Sequence, residues 1–142
     1  MRTFAKILLT IAAIQYGFVP PVVDFTETHV FHSDWPPHAR FHLVWLLTLG
    51  IAFASYVLVA VWYRSSRSGS TLRHASIVGC IVLTGFFVAA MFRAQYGGSL
   101  TDLAAPIEIA GIDGNVFSFT IAGIFQLVGT AIVWLWPENN RA

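Results

Sequence analysis

Apolar residues gather into four long runs, residues 4–23, 41–63, 75–96 and 115–136, separated by short polar segments. Each run holds about 20 or more mostly apolar residues, enough at about 1.5 Å per residue to cross a hydrocarbon core about 30 Å thick. Arg2 and Lys6 precede the apolar stretch Ile7–Val23 in the manner of a secretory leader, but no small-x-small cleavage pattern follows it, so the segment is read as a true first span to Val23, with Pro20 and Pro21 marking its end. No linker, repeat or second compositional block interrupts the pattern. It predicts an all-α, integral membrane four-helix bundle occupying residues 1–142 as a single domain.

Composition agrees. Charged residues make up 11% of the chain, against about 25% in soluble domains, and the mean hydropathy is +0.69. A net charge of +1 gives no reason to expect nucleic acid as a partner. The single cysteine, Cys80, sits inside an apolar run, so it reads as a small core residue and no disulfide forms within one chain.

The distribution of charge predicts an orientation. Arg2, Lys6, Arg64, Arg67, Arg73 and Arg141 flank one side of the spans, and only Arg40 and Arg93 the other. By the positive-inside rule both termini are cytoplasmic, as in a bacterial inner membrane protein, with Trp62, Tyr63, Trp134 and Trp136 as inner interfacial anchors. Asp24, Glu27, Asp34, Asp102, Glu108 and Asp113 then face outward on two loops, with Glu138 alone inside.

Residues 27–42, ETHVFHSDWPPHARFH, hold four of the five histidines on that outward side. Asp34 ahead of Trp35, Pro36 and Pro37 reads as an N-cap, so that the second helix starts near Trp35 and continues to Tyr63. His38 and His42 then share one face, with Trp45 and Leu49 below them. His29 and His32, three apart, face together in a helical turn and diverge in a strand; Val30 and Phe31 between them predict packing against the bundle. Imidazole and carboxylate together are ligand chemistry for a divalent transition metal, zinc or iron first. The candidate ligands are His29, His32, His38 and His42. Acid–base or pH-sensing chemistry without metal, and histidines held structurally at an interface, are the alternatives. The histidine boxes of di-iron membrane desaturases need more imidazoles than this chain has.

The rest of the outward side supplies the helpers. Arg93, at the end of the third run, is expected to pair with Asp24, Glu27, Glu108 or Asp113, or to snorkel to lipid phosphate. The loop GGSLTDLAAPIEIAGIDGN alternates apolar and acidic residues around Gly111 and Gly114, predicting a hairpin or lid that carries Glu108 and Asp113 towards the histidines. Within the spans, Gln15, Tyr16, Tyr56, Thr84, Gln95 and Gln126 are expected to hydrogen-bond neighbouring helices or to line a small outward cavity.

At WPPHARFH the chain resembles a small group of four-span membrane proteins carrying a W-P-P-H-A-R-F-H signature, preceded by a TH-x-F element that here reads THVF. Its overall plan is similar to that of the DoxX-like four-helix membrane proteins and, more distantly, of the emopamil-binding and sterol-isomerase type bundles. The resemblance implies a four-helix bundle.

Two functions follow as expectations. In one, the histidines hold a metal, Glu27 or Glu108 assists with Arg93, and the site activates water or dioxygen against a lipophilic small molecule, as a metal-dependent oxidoreductase or hydrolase. In the other, the protein is a non-enzymatic accessory subunit, sensor or small transporter. Its partners are then membrane lipid, a further membrane protein or a second copy, met through small-residue faces such as GIAFAS.

Overall fold

The computed structural model describes residues 1–63 and 69–136. Its order is α1 (Arg2–Asp24), α2 (Pro37–Trp62), α3 (Gly69–Phe92), a 3-10 helix (Arg93–Tyr96), β1 (Glu108–Ile109), β2 (Ile112–Asp113) and α4 (Gly114–Leu135). All four α-helices are long and apolar enough to cross a membrane. Their outward walls carry large apolar side chains such as Leu46, Ile81 and Leu127, each more than 60% exposed. Such a surface is at home in lipid, where every backbone polar group must be satisfied within its own helix. The chain is a membrane-embedded four-helix bundle, as its apolar pattern predicts.

The helices close a ring: α1 packs on α2 and α4, α3 packs on the same two, and α1 meets α3 across the diagonal. Small residues set the closest approaches. Gly17 of α1 lies directly against Ala54 of α2, leaving no room for a side chain. Within the GIAFAS stretch Ala54 is fully buried against α1, whereas Ala52 and Phe53 are exposed on the outer wall of α2. Leu9, Tyr16, Val57, Val61 and Leu83 fill the core.

Intramembrane polar groups join helices. Gln15 Nε2 donates to the Ser118 carbonyl and hydroxyl of α4 at 2.8 and 3.1 Å. Gln126 Nε2 donates to the Ser76 carbonyl of α3 at 2.8 Å and to the Thr130 hydroxyl at 3.2 Å. At one end of the bundle Lys6 lies over the Trp62 ring and Arg73 over the Trp134 ring. Arg64, Arg67, Glu138 and Arg141, counted in the charge pattern, lie outside the described residues.

Pro20 and Pro21 lie inside α1, shortly before its end at Asp24. One expected boundary shifts. The second helix does not begin at Trp35 under an Asp34 cap. It begins at Pro37, with Pro36 as N-cap and no side-chain cap bond. The reason is local: an Asp34 cap would need amide donors two and three residues on, and those residues are Pro36 and Pro37, which have none.

Candidate functional site

The other end of the bundle is polar. Here the 25–36 loop meets the 97–113 loop, and the helix ends set the geometry of both. After α1, the loop winds through tight turns, with Val30 N–H returning to the Asp24 carbonyl and Phe31 N–H to the Thr26 carbonyl, both at 3.0 Å. This seats Val30 in the core, as expected, and leaves Phe31 exposed against Phe25.

His29 follows from that turn. Its Nε2 lies 3.8 Å from Asp24 Oδ1 and its Nδ1 3.9 Å from Asp102 Oδ2. The Thr28 hydroxyl sits 2.9 Å from the same Nδ1. His29 thus bridges a carboxylate on α1 and one on the second loop. Asp102 also takes the Ala104 N–H at 2.9 Å. That backbone donor first, then the Thr28 hydroxyl and His29, holds the Asp102 carboxyl below its ordinary range.

His32 is turned elsewhere. Its Nδ1 accepts the Asp34 N–H at 3.2 Å, and its ring stacks on Trp35 with centroids 6.2 Å apart. The His29 ring meets Trp35 edge-on at the same separation. Both imidazoles are used by the loop that carries them.

His38 and His42 behave differently. On successive turns of α2, their Nε2 atoms converge to 3.0 Å, as the i,i+4 spacing predicts. Both rings are exposed on the lateral wall of α2 and lie among Phe41 and Trp45, with His42 centroids 5.8 and 5.9 Å from those rings. Arg40 turns back from this face, donating through its Nε to the Trp35 carbonyl and through an Nη to the Ser33 carbonyl.

The four imidazoles are therefore divided between a carboxylate bridge, a loop turn and a converging pair. Among the described residues, no three His, Cys, Asp or Glu side chains are grouped so as to hold a metal. The expected helpers stand apart as well, and none of Glu27, Glu108 and Arg93 is hydrogen-bonded or ion-paired to a histidine among the described residues. Arg93 donates to the Ala90 carbonyl at the end of α3 at 2.7 Å.

The second loop does form the expected hairpin, with Glu108 paired to Asp113 and Ile109 to Ile112. Ala110 and Gly111 both have positive φ, 54° and 76°, the backbone of a tight type I′ turn. Asp113 does not reach the histidines. It caps α4, accepting from the Asn115 and Val116 amides, and takes the Thr101 hydroxyl at 2.8 Å. The carboxylate that reaches a histidine from this loop is Asp102. Spacing could not reveal that contact, because it depends on how two loops far apart in sequence meet, whereas the Thr28 hydroxyl on His29 comes from the neighbouring residue of the same turn.

A groove of about 470 Å³ opens between α3 and α4, lined by Ile77, Cys80, Ile81, Thr84, Thr130 and Trp134. Cys80 is thus partly exposed, with its Sγ 3.6 Å from the Thr130 hydroxyl.

Fold and site together define a small four-span membrane bundle with a polar, histidine-bearing loop end. The chain belongs to a family of unknown function, DUF6640, whose model matches residues 8–109. That match takes in α1 from its second turn, the whole histidine segment, α2, α3 and the second loop as far as β1. No curated protein and no solved structure matches the chain.

Proposed function

We propose that this is a metal-binding integral membrane component that takes a divalent transition metal through His38 and His42, with its loop end facing outward. The observation that carries the reading is the 3.0 Å between the two Nε2 atoms. Two nitrogens on one tetrahedral zinc, each about 2.0 Å from the metal, stand about 3.3 Å apart. The pair is therefore close to ligand spacing before any metal binds, and replacing the shared proton by a cation needs little rearrangement.

The reading favours a binding component over a metalloenzyme. The α3–α4 groove, the place for a lipophilic small molecule, is lined by no histidine and no carboxylate. Glu27, Glu108 and Arg93, the expected catalytic helpers, make no contact with the converging pair. The outward orientation is supported by the placement of Arg2, Lys6 and Arg73 towards the opposite end of the bundle. Kinship with the DoxX-like bundles extends, on this proposal, to the four-span plan alone.

The test is the metal content of detergent-purified protein after exposure to zinc and removal of free ion. Wild type should retain zinc, and the His38→Ala/His42→Ala variant should lose it. Equal retention by the two proteins, or none by either, defeats the proposal.

A further inference from the structure

We propose that two copies of the chain meet along the lateral wall of α2 and share one metal ion, each copy supplying His38 and His42. The inference rests on the reading of that pair as metal ligands and adds the partner that completes the site.

Ligand number argues for it first. A structural zinc site uses four protein ligands and a catalytic one three. This chain offers two at the converging pair, and no third His, Cys, Asp or Glu joins them among the described residues. His29 and His32 are held by Thr28, the Asp34 amide and Trp35. The pair is half a tetrahedral site, and the missing half is a second pair of the same kind.

Symmetry supplies that half at the right height. Two copies inserted with the same topology are related by a two-fold axis along the membrane normal. A residue on the lateral wall then meets its own counterpart at the same depth. The histidines are on such a wall, at the end of α2 where metal arrives from water. An unrelated membrane protein would have to place two further ligands at that depth independently.

The wall itself is shaped for a helix. From His38 and His42 through Trp45, Leu49 and Ala52 to Tyr56, exposed residues recur at alternating intervals of four and three. That is the spacing of the contact line between two helices crossing at a shallow angle. The line lies away from the bundle interior, since Ala54, Val57 and Val61 carry the buried face of α2. Phe41 and Trp45 flank the histidines and would shut water out from around the ion. Arg40, tied to the Ser33 and Trp35 carbonyls, leaves the line free of positive charge.

The experiment uses the full chain in native membranes, where insertion gives all copies one orientation, with zinc as the probe. Trp45→Cys is oxidised with and without zinc, and Ile81→Cys on the α3 wall serves as control. Zinc should increase cross-linked dimer at least several-fold for Trp45→Cys and leave Ile81→Cys unchanged. Adding His38→Ala/His42→Ala should abolish the increase. Native mass spectrometry of wild type should then give one zinc per two chains.

One zinc per single chain, with no cross-link, overturns the shared site but leaves the metal reading standing. No zinc in either state overturns both. A cross-linked dimer indifferent to zinc and to the histidine substitutions shows contact along α2 without a shared ion, and overturns this inference.

Discussion

His38 and His42 hold their Nε2 atoms 3.0 Å apart on the exposed wall of α2, and beyond each other their rings meet Phe41 and Trp45 of the same helix. Removing them should therefore cost almost nothing without metal. His38→Ala/His42→Ala is expected within about 0.5 kcal/mol of wild type, the usual range for surface substitutions. Zinc at about 100 times its Kd should stabilise wild type by about 2.7 kcal/mol and the variant not at all. Thermal unfolding in detergent, with and without zinc, reads both values.

Asp102 ties the second loop to His29 through Thr28, and its carboxyl is held below the ordinary value of 3.8 by the Ala104 amide, Thr28 and His29. A group with a depressed folded value adds stability that is complete above its unfolded value and is lost as pH falls through the folded one. The tie should hold at neutral pH and release only below about pH 4. Hydrogen exchange at the Ala104 amide, followed down in pH, should show that release, and Asp102→Asn should remove the dependence.

Gly17 and Ala54 mark the closest approach of α1 and α2, and a methyl group on Gly17 would collide with the Ala54 Cβ. Gly17→Ala should destabilise the bundle by about 1–3 kcal/mol, the cost of overpacking a tight contact. Ala54→Gly should recover part of that loss when combined with it. A double-mutant cycle on SDS-induced unfolding measures the coupling. Additive effects would mean that the two residues do not touch.

Gln126 is 1% exposed, and its Oε1 is buried without a partner while its Nε2 is fully used. An unpaired buried acceptor costs about 1–3 kcal/mol. Gln126→Met removes that penalty together with the Nε2 bonds to Ser76 and Thr130, worth about 0.5–1.5 kcal/mol each, so the two effects offset and stability should stay within about 2 kcal/mol of wild type. SDS-induced unfolding measures it, and a larger loss would contradict the unpaired acceptor.

Much of this is legible in the sequence. Four spans follow from apolar run length alone, and the i,i+4 spacing of His38 and His42 carries straight into geometry because a helix has one period. The hairpin was announced by the alternation around Gly111. Legibility failed where tertiary meetings decide. His29 could have faced His32, but the turns that bury Val30 send it to Asp24 and Asp102. Asp34 has the side chain of a cap, but two successive prolines deny it the amides. Asp113 was expected near the histidines and instead caps α4, because an aspartate immediately before a helix finds free amides closer at hand.

On the proposed reading, metal selects the converging pair over the other imidazoles. Histidine-labelled protein in detergent micelles, titrated with zinc and followed by ¹⁵N NMR of the imidazole nitrogens, tests this directly. The Nε2 resonances of His38 and His42 should shift or broaden together and saturate, while those of His29, His32 and His74 stay in place. A joint response of His29 and His32 with the pair, or no response from His38 and His42, would contradict the account.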